Sequence, residues 1–404
     1  MAYDMLDGVT VVEVSMYAFA PAAAAVLADW GADVIKVVPP AVADPMRGTP
    51  IAGLPPARAD VAFMWEIVNR GKRCIGLDLA DGEGQAILHD LIRDADVFIT
   101  NLLPDARRRF TLDIADIQRV KPDVIYARAS AHGPSGPEAG SGGFDHTDFW
   151  ARTGMAHAAA MVSDEFVPQP GPAMGDLAAG AFLAGGVAAA LVRRARTGRG
   201  AVVDVSLLSA GAWMFSPAIV AAGVHGVEAI PRARHLDLPN PLVAGYRTAD
   251  NRIVYFAGVQ TDKNFANFCE VAGCTELLDD PRFATGADRL TNARSCIEAL
   301  DAVFASRTLG EWLSRLPDLR VPWAVVQTPA EAAADPQVLA NHYLAPAAGL
   351  ADEFPLVASP AQFDQTPPSL RRAPEHGGHT EEILLELGYD WDRVLDLKAR
   401  GAVT

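Results

Sequence analysis

Val9-Thr-Val-Val-Glu-Val14, the loop Ser15-Met-Tyr-Ala-Phe-Ala-Pro21, the Ala-rich stretch Ala22 to Trp30, Gly31, and then Ala32-Asp-Val-Ile-Lys-Val-Val38 together decide the fold class. The first and last segments are short β-branched runs of the kind that fill a strand covered on both faces. Between them, Pro21 suits a first helical turn and Gly31 a helix stop. A strand, loop, helix and second strand in this order predict a parallel sheet. Ligands of such sheets lie beyond the carboxyl ends of the strands, which is where Tyr17, Ala18 and Phe19 fall. No Gly-x-Gly-x-x-Gly follows the first strand, which weighs against a dinucleotide site of the usual kind.

The same grammar recurs further along. Asn69-Arg-Gly-Lys-Arg-Cys-Ile-Gly-Leu-Asp78 is a basic turn leading into a strand, and Gly82 to Ala95 has the periodicity of an amphipathic helix. Asp96-Val-Phe-Ile-Thr100 reads as the next strand, left at its C-terminal end by Asn101-Leu-Leu-Pro-Asp-Ala-Arg-Arg-Arg109. Val124 to Arg128 and Ala201 to Ser206 are two more strands. From Gly223 to Asn240 the chain turns Pro- and charge-rich, and Tyr246 to Gly258 looks like an antiparallel pair turning at Asp250-Asn251. The expected organisation is α/β: a large Rossmann-like parallel-sheet domain over residues 1–222, completed by 341–404. A linker over 223–240 then leads to a smaller α+β domain over 241–340.

Composition narrows the function. With 404 residues, 50% hydrophobic and 21% charged, the chain can build two cores. A formal net charge of −16 argues against nucleic acid as a partner. Cys74, Cys269, Cys274 and Cys296 are scattered without metal-ligand spacing, which predicts a reducing, cytoplasmic setting and no metal. Met1-Ala-Tyr-Asp-Met-Leu-Asp7 has acids and no basic leader, and the apolar runs are too short or interrupted for a membrane span. In so acidic a protein, an anionic ligand would need its cations concentrated locally. Lys72 with Arg73, and Arg107 to Arg109, sit at loops of one sheet and suit phosphates, although a solvated surface explains each cluster alone.

Pro172-Ala-Met-Gly-Asp-Leu-Ala-Ala-Gly180, running on to Arg193-Arg194, is almost wholly small and apolar from Leu177, as in a helix buried on every face. Asp176 stands alone at its start. One reading makes it an N-cap. The other makes it a carboxylate held in an apolar wall, kept ionised by the helix dipole and free N–H groups, and used as a nucleophile.

The order of these motifs resembles the family III coenzyme A transferases, the CaiB/BaiF group. The matching text is Leu6-Asp-Gly-Val9, Ala20-Pro21, Leu27 to Val37, Asn69 to Arg73, Leu77-Asp-Leu79, Asp96-Val97 to Asn101, Gly143-Phe-Asp145 and Gly175-Asp176. Thr197 to Gly200, Asp280 to Phe283 and His379 to Ile383 complete it, so the match covers essentially the whole chain. The resemblance implies that Asp176 is a covalent nucleophile in transfer of CoA between an acyl-CoA and a carboxylic acid, in a homodimer of interlocked ring-like chains. It makes Lys72, Arg73 and Arg109 the expected phosphate contacts of coenzyme A, with Arg107 and Arg108 facing solvent. Tyr17, Ala18, Asn101 and Leu102 are expected along its adenine and pantetheine path. Phe149, Trp150 and Trp213 suggest an apolar acyl pocket, although core packing explains any one of them alone.

Two departures bear on this. Val38 and Pro39 stand where the family carries acidic and basic residues, which removes one expected CoA contact. The related α-methylacyl-CoA racemases have a His base where this chain has Phe144, with His146 two residues on. That favours a transferase over a racemase. A silent acyl-CoA-binding subunit, the third reading, would have little need for Asp176.

Overall fold

The computed structural model describes residues 3–48, 61–163, 165–351 and 354–404. Two units emerge: residues 1–159, 166–229 and 336–404 form the first, and 160–165 with 230–335 the second. The second unit therefore begins inside the expected linker and also takes in the short 160–165 segment.

The first unit is built on β1 (Thr10–Val14), β2 (Asp33–Val38), β3 (Arg73–Gly76), β4 (Val97–Thr100), β5 (Ile125–Ser130) and β6 (Ala201–Ser206). These form one six-stranded sheet in the order β3-β2-β1-β4-β5-β6, parallel throughout. The order reverses between β1 and β4, so the crevice beyond their carboxyl ends is the natural ligand position. In chain order the helices are α1 (Phe19–Asp29), α2 (Phe63–Asn69), α3 (Gly82–Asp94), α4 (Pro104–Arg109), α5 (Ile114–Val120), α6 (Met155–Ala160), α7 (Met174–Thr197), α8 (Leu207–Met214) and α9 (Ser216–His225). One face of the sheet is covered by α1 and α7, the other by α3, α5 and the C-terminal helices Thr380–Glu386 and Trp391–Ala399.

Close approach of α1 and α7 explains their shared Ala/Gly text. A Cβ on Gly180 would stand 2.8 Å from the Ala22 methyl and 3.0 Å from the Ala23 amide nitrogen, so only glycine fits that crossing. The expectation of burial on every face does not hold for α7. Leu177, Phe182 and Val192 are exposed, and α9 has no buried residue while presenting Ile219, Val220 and Val224 to solvent. Small residues allow tight packing on one side without requiring it on the other. α7 is also the one described helix long and apolar enough to cross a membrane, yet its inner face is built into the sheet core.

The sheet's most unusual content is charged. Glu13 of β1 is fully buried, and its two oxygens meet Lys36 of β2 at 2.9 Å and Lys72 at 2.6 Å. The Ser15 hydroxyl donates to it as well, at 2.6 Å. Burial would raise the Glu13 carboxyl, but the two ammonium groups and their hydrogen bonds outweigh it and hold it at about 2. Lys36 is kept above its usual value despite burial, because Glu13 and Asp44 face it.

The second unit has its own core around Tyr246, Phe256, Phe268, Phe304 and Trp312. Its antiparallel sheet has β7 (Gly245–Arg247), β8 (Ile253–Phe256) and β9 (Trp323–Val325), with β8 in the middle.

Removing one member of a buried ion cluster strands the others, at a cost of about 3–5 kcal/mol. Glu13→Gln leaves two ammonium groups facing no carboxylate partner of equal strength, so its unfolding free energy from urea titration should fall by that amount. Lys72→Met, which leaves Glu13 with Lys36, should cost less. Equal and negligible losses would show that the cluster is not a structural keystone.

Candidate active site

Three pieces of chain meet at the switch point, and each is fixed by specific side-chain or backbone contacts. Beyond β1, the Lys36 ammonium donates to the Ser15 carbonyl at 3.1 Å, and Lys72 donates to the Pro21 carbonyl at 2.9 Å. Beyond β4, the Asn101 side chain grips Met16 twice, accepting from its N–H at 3.1 Å and donating to its carbonyl at 2.6 Å. The loop so held carries Tyr17 at φ 64°, a left-handed conformation that costs a bulky residue about 1–3 kcal/mol. The third piece is the start of α7. Ala173, also left-handed at φ 56°, is the cap residue, so Asp176 is the third helical residue and the capping reading is set aside.

Gly175 makes the placement possible. A Cβ there would lie 2.5 Å from the Phe149 ring and 2.9 Å from the Asp145 Cβ, so the first turn of α7 can seat itself only with glycine at that position. Asp176 then enters a cavity of about 230 Å³ lined also by Tyr17, Asn101, Leu102, Arg107, Arg128 and Phe144.

The Asp176 carboxyl is pushed up to about 7, by burial first and then by the buried carboxylate of Asp145. This reverses the expectation that the helix terminus keeps it ionised. No described residue donates a hydrogen bond to the carboxylate, and desolvation outweighs the dipole. Asp145 itself is pinned by Gln169, whose Nε2 donates at 2.7 Å, and contacts His146 Nδ1 at 2.8 Å.

Of the expected site residues, the structure brings Tyr17, Asn101, Leu102 and Asp176 to one cavity. Ala18 is buried behind the loop and does not line it. Lys72 is 4% exposed and spends its ammonium on Glu13, Pro21 and Asn69, which leaves nothing for a phosphate. Arg73 is committed to Asp33, Glu382 and Glu386, away from the cavity. Within the arginine triplet, Arg107 and Arg109 exchange their expected places while Arg108 faces solvent as expected. Arg107 lines the cavity, with Nε on Asp113 at 2.9 Å and Nη1 on the Leu102 carbonyl at 2.8 Å. Arg108 turns outward to Asp105, and Arg109 is exposed beside the Phe110 ring.

Arg128 was missed. It sits opposite Asp204 in the β5–β6 register and pairs with it at 2.6 Å while lining the cavity. One signal was available: Arg128 ends the expected strand Val124 to Arg128, next to the switch point. Of the aromatic residues assigned to an acyl pocket, Phe149 and Trp150 are core and Trp213 is 68% exposed; none lines the cavity. Its aromatic residues are Tyr17, Phe19 and Phe144. His146 is absent from the lining. No group of three metal-ligating side chains occurs among the described residues, and all four cysteines are buried and free.

The family model described as CoA-transferase family III matches residues 6–380. The chain is 31% identical to (R)-2-hydroxy-4-methylpentanoate CoA-transferase of Clostridioides difficile, covering 98% of each. It is 29% identical to cinnamoyl-CoA:phenyllactate CoA-transferase of Clostridium sporogenes, covering 98% of this chain and 96% of that one. Among solved structures, a CAIB/BAIF family protein from Brucella suis superposes with a TM-score of 0.82 at 28% identity, covering 95% of this chain and 99% of that one.

The raised Asp176 carboxyl has a consequence for stability. Folded, the group keeps its proton up to about 7; unfolded, it releases it near pH 3.9. Between those values the native state binds the extra proton, so this group's contribution to stability falls as pH rises. Asp176→Asn should therefore melt above the wild type at pH 8, with the gap closing toward pH 4. A gap of the same size at both pH values would refute the assignment.

Proposed function

The chain belongs to CoA-transferase family III, and from that premise we propose that it moves CoA from an acyl-CoA to a free carboxylic acid through covalent intermediates on Asp176. The observation that carries this reading is a carboxyl, raised by burial, facing a cavity at the sheet's switch point that two anchored arginines also line.

In this reading the ionised Asp176 attacks the thioester carbonyl, the C–S bond breaks, and CoA leaves as thiolate, giving an acyl-aspartyl anhydride. The thiolate then attacks the aspartyl carbonyl carbon, releasing the donor acid and leaving an aspartyl-CoA thioester. An acceptor carboxylate repeats the sequence in reverse: it expels the thiolate to form a new anhydride, and the thiolate takes the acyl group. Acid and thioester are exchanged without net redox change or water.

A mixed anhydride survives only where water is excluded, which suits a partly buried carboxyl. The waiting thiolate is kept near by grip on the distant end of CoA. With Lys72 and Arg73 consumed by ion pairs, that grip falls to Arg107, Arg128 and the exposed Arg109, with Asn101 and Leu102 along the path. The N–H groups opening α7 are the supporting oxyanion donors. A racemase is disfavoured, because Phe144 stands at the cavity and His146 does not. Four free cysteines fit a cytoplasmic setting.

We place the protein in a homodimer. Trp213, Val220 and Val224 are large apolar side chains left exposed on α8 and α9, of a kind that suits an interface. Sedimentation equilibrium should return twice the 42.8 kDa chain mass, and Val220→Arg with Val224→Glu should shift it toward one chain. A single-chain mass for the wild type would remove this element.

Asp176→Ala should abolish transfer while leaving CoA affinity within about threefold, since the phosphates are held elsewhere. Wild type incubated with acyl-CoA and hydroxylamine should lose activity and carry a hydroxamate on Asp176 by peptide mass spectrometry. Turnover by the alanine variant above a trace would overturn the covalent reading.

A further inference from the structure

We propose that Tyr17 and Phe144 form the acyl-selecting wall of the cavity and favour acids with a large apolar chain, aromatic or branched, over short ones. The inference rests on the CoA-transferase reading of Asp176 and adds the substrate class to it.

The two rings meet edge to face, centroids 5.5 Å apart at 86°. Both line the cavity that Asp176 enters. Neither is a core residue: Tyr17 is 38% exposed and Phe144 57%. Apolar rings left open at a cavity wait for an apolar occupant, because covering them is the gain that binding realises.

Their backbones, by contrast, are tightly specified. Tyr17 is held in the left-handed region between Ser15, whose carbonyl accepts from Lys36, and the doubly bonded Met16. Phe144 has its N–H on the Thr147 hydroxyl at 3.1 Å, and its carbonyl accepts from the Asp148 N–H at 2.9 Å. A strained tyrosine could relax if glycine stood there. Keeping a ring on a backbone that disfavours it points to use of the ring.

The cavity's charges select the partner. Its cations, Arg107 and Arg128, are the groups that suit the anionic end of CoA, and each keeps guanidinium N–H groups beyond those paired with Asp113, Leu102 and Asp204. Phe144 offers no hydrogen bond to a phosphate or a free carboxylate, and the Tyr17 phenol is the pair's single polar group. Both rings line the cavity that Asp176 enters, so the uncharged part of the substrate next to the reacting carbon, the acyl chain, is what they meet.

The test compares wild type, Tyr17→Gly and Phe144→Ala with acetate, 4-methylpentanoate and 3-phenylpropanoate as acceptors against one common donor. Glycine is chosen at position 17 because it removes the ring and tolerates the backbone; melting curves check that both variants fold. Should Phe144→Ala fail to fold, Phe144→Leu takes its place. The wild type should prefer the two larger acids, and each variant should lose at least about tenfold of that preference in kcat/KM. Inhibition by free CoA should move by less than about twofold. An unchanged preference overturns the proposal. So does a matching loss of CoA affinity, which would put the rings against pantetheine. A uniform fall for all three acids also overturns it, while leaving the CoA-transferase reading intact. Absence of transfer by the wild type to any of the acids would overturn both.

Discussion

A single carboxylate, Glu13, is the constraint on which the site depends. It lies in the sheet between two ammonium groups, and those same ammonium groups reach past it to the carbonyls of Ser15 and Pro21. The β1–α1 loop is thus tied at both ends from beneath. Without Glu13, Lys36 and Lys72 would have no reason to remain inside, since an unpaired buried cation is far too costly. With it, they become the fixed donors on which Tyr17 is mounted. The charge cluster adds little net stability compared with an apolar core of equal volume, and its return is geometric: a loop that ordinary packing would leave free to relax is held in a strained shape.

This cluster also shows why part of the site was illegible in the sequence. Asn69-Arg-Gly-Lys-Arg73 looks like a basic surface turn, but Asn69, Arg70 and Lys72 are all buried. Its interior role depends on Glu13, fifty-nine residues earlier, and side-chain periodicity carries no information about such a partner. Arg73, the neighbour of Lys72, faces the opposite way, onto acids of the C-terminal helix. The arginine triplet fails for a related reason: the face presented by a helix of only six residues is set by where Pro104 starts it and where Asp113 waits. The sheet itself was legible, because buried parallel strands are written as continuous β-branched runs, and the boundaries observed for β1, β2, β4 and β6 differ from the expected ones by at most one residue. The antiparallel pair of the second unit was equally plain, since its turn residues stand between two alternating segments.

Asp176 was found for a reason that its environment only partly supports. The sequence suggested a helix terminus that would stabilise charge, but the carboxyl is raised instead of lowered, and the two effects compete at that site. A dipole aligned with one turn of helix is worth about 0.3–1 kcal/mol at ordinary exposure. Removing a carboxylate from water, with a second carboxylate at Asp145 nearby, costs several times more. Burial therefore wins, and the group rests near neutrality between its two protonation states.

That balance suits a nucleophile that must also be a leaving group. A carboxylate held at a low pKa, like Glu13, is stable and unreactive because Ser15, Lys36 and Lys72 all donate to it. Asp176 has no such donors among the described residues, so its lone pairs are free once the proton leaves, and its ionised form is higher in energy than in water. A free carboxylate in a dry cavity is more nucleophilic than one in solvent, and the anhydride it forms is shielded from hydrolysis by the same burial. The fold thus treats two buried acids of one unit in opposite ways. Glu13 is saturated and serves as structure; Asp176 is left unsatisfied and is available for chemistry. The difference lies in the donors supplied to each, and those donors come from strands, turns and helix ends that only the assembled sheet brings together.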